Sequence, residues 1–178
     1  MNQYTLSSDI VFMCKCFADK VIDTNIDEYN NRKQFNRQKI WNDIFYGKLA
    51  EWGVYFIYLK RNRLSITIPD MKIYSGSYKS FDADLNWNLY KLHIKSQTKK
   101  SERNYGTSWI FQSNDPLFKK SKEYDIIIGC TVDLMSEDQC VVDIKLESQF
   151  KKLIFAEPKL NKFEGNKKAL YLKDNNEQ

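Results

Sequence analysis

The spacing of apolar residues changes once along this chain, and that change restricts it to folds that combine helices with strands. From Lys39 the pattern is helical: Ile40, Ile44, Leu49, Trp52, Tyr55, Phe56 and Leu59 lie near helix spacing. The run ends in Lys60, Arg61 and Arg63, cations that suit the negative end of a helix dipole. After it the period becomes two. Leu64, Ile66 and Ile68 alternate as in a strand until Pro69 stops them. Phe81–Leu85 and Leu89–Ser96 predict two short strands about a tight turn at Asn86–Asn88, and Thr107–Phe111 predicts another. Asp125–Leu134 has the strongest strand pattern. A turn over Met135–Gln139 then returns the chain antiparallel as Cys140–Leu146. Upstream, Ile10, Phe12, Met13, Phe17 and Val21 set a helix around Ile10–Asp19, residues 23–35 read as loop or a short helix, and Asp174–Gln178 as a frayed tail. The fold class is α/β (α+β): a helical N-terminal third, then a mostly antiparallel or mixed sheet flanked by helices.

At 178 residues the chain is long enough for one domain with its own core. An aromatic fraction of 15% excludes a mostly disordered chain. Apolar runs such as Ile126–Ile128 are far too short to span a bilayer, and Met1–Asp9 lacks the basic start of a secretory signal. A cytoplasmic protein is expected, with Cys14, Cys16, Cys130 and Cys140 as reduced structural thiols. No Walker-type loop occurs, so no nucleotide cofactor is expected.

The net charge of +5 is unevenly distributed. Residues 55–80 carry Lys60, Arg61, Arg63, Lys72 and Lys79 against Asp70 alone, and residues 91–122 are strongly basic. Basic stretches interleaved with aromatic residues fit either a polyanion partner or an ordinary solvated surface. Arg61 and Arg63 suit either base edges or a helix end.

One constellation carries chemistry. The helix bears Gly47, Lys48, Ala50 and Glu51. Downstream come Asp82 and Asp84, then His93, Lys95 and Gln97. Residues two apart in a strand share a face, so His93, Lys95 and Gln97 point one way and Leu92, Ile94 and Ser96 the other. A short turn sets Asp84 across from His93 or Lys95. Carboxylate oxygens of Asp84 and Glu51 suit a hard cation, a lysine beside it can stabilise transition-state charge, and the only histidine could ligate the metal or bind the attacking water.

Asp84 followed by His93, Ile94 and Lys95 resembles the PD-(D/E)xK nuclease pattern, and Glu51 resembles the helical glutamate that many members place beside the metal. Gln97 resembles a polar residue that some members carry after the lysine. The resemblance covers residues 47–97. It implies a restriction-endonuclease-like core over residues 39–147, preceded by a helical region (1–38) and followed by a C-terminal extension (148–178), all in one nuclease domain. It also implies magnesium, or manganese, as cofactor, with Asp84, Glu51 and His93 as ligands, Lys95 positioning water, and Gln97 as a water contact or supporting residue. No proline precedes the first aspartate, Asp82 competes with Asp84, and His93 stands where a carboxylate is expected. That last change implies weaker magnesium binding, a different divalent ion, one metal instead of two, or an inactive relative.

The implied activity is hydrolysis of double-stranded DNA by a homodimeric type II restriction endonuclease. The alternatives are a Holliday-junction resolvase or a phage or repair nuclease of the same fold. A non-cleaving nucleic-acid-binding relative is the reading from another class. Lys99, Lys100, Arg103 and Tyr105, read as a loop, and Gln112 and Asn114 are the expected DNA contacts.

Overall fold

Asn36 starts the element on which the architecture is built. Its side chain accepts a hydrogen bond from the Lys39 N–H at 2.9 Å, satisfying one of the orphan donors of a helix start. In this computed structural model, which describes residues 1–24, 34–74, 83–160, 163 and 165–175, helix α2 follows as Arg37–Lys60. Phe45, Leu49, Gly53 and Ile57 recur every four residues and form a buried stripe along it. Asn62, with φ 57°, turns the chain out of the helix through a conformation that asparagine tolerates. The preceding helix α1, Ser8–Val21, packs beside α2 through Val11, Cys14 and Ala18.

The two helices cover one face of a five-stranded sheet. Its strands are β1 (Gln3–Leu6), β2 (Leu85–Trp87), β3 (Tyr90–Thr98), β5 (Asp125–Leu134) and β6 (Cys140–Gln149). Their order is β1-β6-β5-β3-β2. Only β3 and β5 run parallel, with Lys95 beside Gly129, and the other pairs are antiparallel. The crossover between β3 and β5 carries helix α3 (Lys99–Tyr105), strand β4 (Ser108–Gln112) and the short helix α4 (Leu117–Lys120). Strand β4 pairs with β7 (Lys167–Tyr171) as a separate ribbon.

Two cores result. Leu92, Ile128, Cys130, Val132, Val142 and Ile144 meet α1 and α2. On the other face Ile127, Leu146 and Phe150 meet Trp109, Phe111 and Leu170 from the ribbon. Burial on both faces explains why Ile126–Ile128 within β5 reads as a continuous apolar run rather than an alternation. Glycine permits the closest approach in each layer. A Cβ on Gly53 would lie 2.4 Å from Val142, and one on Gly129 would lie 2.5 Å from the Trp109 ring.

The sequence expectation of a mixed sheet with helices and a helical N-terminal stretch is met. Three local readings are corrected, and two strands went unread. Leu64–Ile68 forms no strand, only an isolated bridge from Ile66 to Trp87. The hairpin turn falls at Asn88, with φ 52°, so Asn86 and Trp87 belong to β2. Lys99–Tyr105 is a helix rather than a loop, because Thr98 caps it and Gly106, at φ 76°, ends it. The edge strand β1 and the ribbon strand β7 had no clear period-two signal. Among the described residues no helix is long and apolar enough to cross a membrane.

The approach at Gly53 is testable. Gly53→Ala forces a methyl into Val142 and should destabilise by about 1–3 kcal/mol, the range for overpacking. Gly47→Ala, on the same helix with nothing within 4 Å of the added carbon, should stabilise by up to ~1 kcal/mol through helix propensity. Urea titrations of both variants measure the two signs.

Candidate functional site

Strand β3 lies next to the sheet edge, and its partner β2 covers only its first residues. Where β2 ends, Asp84 takes over. Its Oδ2 accepts the Ile94 N–H at 2.6 Å, and its own N–H donates to the Leu92 carbonyl at 3.0 Å. One carboxylate oxygen therefore replaces a missing ladder partner while the residue stays exposed. Asp82 lies outside the described residues.

Glu51 comes from the middle of α2. The Lys48 ammonium donates to its Oε2 at 2.6 Å and to the Asp70 carbonyl at 2.9 Å. Both side chains are nearly buried, at 11% and 12% exposure. Burial pushes the Glu51 carboxyl up to about 8. Lys48 opposes that rise, whereas the negative charges of Asp84 and Asp70 add to it. Burial would also raise Asp70, but hydrogen bonds from the Tyr74 hydroxyl and the Lys72 N–H outweigh it and keep that carboxylate low. Cys14 on α1 feels the charge of Glu51. Burial first, then the Glu51 charge, pushes its thiol up to about 12, so it is an inert packing group.

The strand alternation expected from the sequence is present, and it divides the candidate set. Leu92 and Ile94 belong to the layer under α2, with Glu51. His93, Lys95 and Gln97 point to the opposite face, toward the ribbon. His93 Nε2 lies 3.0 Å from Asp125 Oδ1, and Asp125 also accepts the Lys122 N–H at 2.6 Å. Lys95 Nζ sits 4.7 Å above the Phe111 ring and 3.9 Å from Asp115. Gln97 is buried, donating to the Gly106 carbonyl at 2.9 Å and accepting from the Ser108 N–H at 3.0 Å. The expectation that Gln97 serves as a water contact is therefore corrected: backbone groups hold both ends of its amide, and it fixes the exit of α3 onto β4. The grouping of His93 with Glu51 in one ligand set is corrected too, because the two side chains lie on different faces.

Among the expected DNA contacts, Lys100, Arg103, Tyr105 and Asn114 are exposed, and Gln112 is half-buried at the end of β4. Lys99 is paired with Glu102, which also accepts from the Thr107 hydroxyl. Arg61 and Arg63 are committed elsewhere. They donate to Glu147 at 2.7 and 2.5 Å, alongside the Tyr58 hydroxyl at 2.9 Å, and clamp the end of α2 to β6.

Sequence reasoning assigned no part in the site to Lys48, Asp70, Asp115 or Asp125. The three-residue step from Lys48 to Glu51 was a readable helix-pair signal. The other three arrive from distant segments and left no local trace. No protein-family model, curated protein or solved structure matches this chain.

The raised Glu51 carboxyl has a consequence for stability. A group that holds its proton more tightly when folded stabilises fully below its unfolded value, near 4.5, and loses that contribution as pH rises through its folded value, near 8. Denaturation midpoints should thus fall between pH 5 and pH 8, and Glu51→Gln should flatten that slope. An unchanged slope in the variant would show that Glu51 is not the group responsible.

Proposed function

We propose that the chain is a metal-dependent endodeoxyribonuclease that hydrolyses phosphodiester bonds in double-stranded DNA, with a restriction-endonuclease-like core. The support for this reading is a pair of carboxylates on separate elements: Asp84, exposed at the strand edge and accepting the Ile94 N–H, and Glu51 on α2, whose carboxyl the Asp84 charge helps to raise. The donor set suits magnesium or manganese. Both are hard cations that take carboxylate oxygens, and magnesium typically keeps several waters and uses one or two protein carboxylates plus phosphate oxygens. Asp84 and Glu51 would hold the ion. Among the described residues no group of three His, Cys, Asp or Glu side chains converges. Such an ion, when bound, supplies an acidified water and balances charge on the phosphoryl group.

The chain's own residues do the rest. Asp84 is held in place by the Ile94 N–H through one carboxylate oxygen and is exposed. Glu51 brings the second carboxyl from α2, and a bound cation would favour its ionised form. Lys100, Arg103, Tyr105 and Asn114 are exposed on the crossover that follows β3 and would contact phosphates and grooves. In the reaction a water oxygen forms the new bond to phosphorus as the bond to the leaving sugar oxygen breaks. The water's proton goes to solvent, and the leaving oxygen takes a proton from it. Cutting two strands calls for two such sites, hence a homodimer, with type II restriction as the leading role and junction resolution or repair as the alternative.

One observation favours a second reading. His93 is bound to Asp125 on the far face, so the strand position where the resemblance expects a carboxylate adds no charge beside Asp84. A non-cleaving DNA-binding relative fits that feature.

A plasmid and mixed-sequence duplex assay in magnesium or manganese separates the two. Cleavage that falls by about 10²-fold or more in Asp84→Ala, and only a few-fold in His93→Gln, supports the nuclease. Salt-dependent DNA binding without cleavage by the unmodified protein supports the binder.

A further inference from the structure

The lysine closest to the helix carboxylate is not the one the sequence pattern singles out. Lys95 follows Asp84 at the expected distance in sequence, yet its side chain faces the ribbon, over Phe111 and beside Asp115. Lys48 is on the α2 face. It touches Glu51 directly, and its ammonium is held between that carboxylate and the Asp70 carbonyl. Its stem runs close to Phe17, with the ammonium 4.7 Å from the ring centroid.

Resting on the nuclease reading above, we propose that Lys48, not Lys95, is the lysine that serves the scissile phosphate. The geometry supplies three reasons. A lysine stem is long and flexible, so Nζ can exchange one anionic oxygen for another without moving the helix. Its partner Glu51 is the carboxylate that turns to the metal in the proposed reaction, which leaves the ammonium in need of a new acceptor. A non-bridging phosphate oxygen beside Asp84 is an acceptor of the right charge. The Asp70 carbonyl keeps the lysine anchored during the exchange, and a desolvated cation there opposes the charge that builds on phosphorus far better than one in open water. Lys95 becomes a structural cation that ties β3 to the loop after β4 through Asp115.

The test compares Lys48→Gln with Lys95→Gln in the full chain. Glutamine at 48 keeps a donor for Glu51 and for the Asp70 carbonyl while removing the charge; Lys48→Met is the second variant should the first not fold, judged by thermal melts. In magnesium, plasmid cleavage should drop by about 10²-fold or more in the Lys48 variant and only a few-fold in Lys95→Gln. A readout without cleavage accompanies it. In calcium, anisotropy of a fluorescent duplex should show the salt slope of binding reduced by about one phosphate contact, ~0.9, for the Lys48 variant and unchanged for Lys95→Gln. Loss of cleavage in Lys95→Gln, alone or equal to that of the Lys48 variant, overturns the assignment and leaves the nuclease standing. So does an unaltered salt slope in the Lys48 variant. Absence of cleavage by the unmodified protein on every DNA tested, in magnesium and in manganese, overturns the nuclease reading and this inference with it.

Discussion

The contact between helix α2 and the sheet governs the arrangement of this molecule. Gly53 lets the helix backbone press against Val142 on β6, and Phe45, Leu49 and Ile57 extend that seam along the helix. The far end is fastened by charge: Glu147 receives hydrogen bonds from Tyr58, Arg61 and Arg63. Burial alone would raise the Glu147 carboxyl, but these three donors hold it below its ordinary value. A carboxylate so satisfied is a locating pin, since removing one member would leave a half-buried charge without partners. With both the seam and the pin in place, the angle and height of α2 are set, and so is the position of Glu51 relative to the edge of β3.

Strand β3 then has two unlike neighbourhoods. Its α2 face packs Leu92 and Ile94 into the helix layer. Its ribbon face is polar but fully engaged: His93 with Asp125, Lys95 with Asp115, Gln97 with two backbone groups. A strand whose polar residues all found partners on one side is a structural wall there, because buried polar groups that are already satisfied have little to offer a ligand. The chemical opportunity is at the edge, where β2 stops early and a single side chain, Asp84, stands in for the missing strand. An edge that is covered by a carboxylate instead of a strand is also protected against unwanted pairing.

Much of the skeleton could be read from residue spacing. The long helix, the hairpin into β3, the Asp125–Leu134 strand and its antiparallel return were all evident, because burying one stripe or one face leaves a period of 3.6 or 2. What escaped had no period to show. Strand β1 is four residues at the sheet edge, β7 pairs only with β4, and Lys99–Tyr105 looked like a basic loop because its helical start depends on one capping hydroxyl, that of Thr98. The candidate site was half legible. Glu51 and Asp84 could be named from their residue types and spacing. The division of His93 and Lys95 from Glu51 followed only once α2 was seen to pack on the Leu92 and Ile94 side of the strand.

By itself the sequence determined which residues share a face, since alternation along a strand and the turn of a helix are properties of the local backbone. Tertiary structure alone decided which face looks toward which helix, and with it the company each charged group keeps. Asp125, Asp115 and Asp70 reach His93, Lys95 and Lys48 from 32, 20 and 22 residues away. Pairings over such separations are chosen by how layers stack, a matter of packing volume and desolvation that no local pattern encodes.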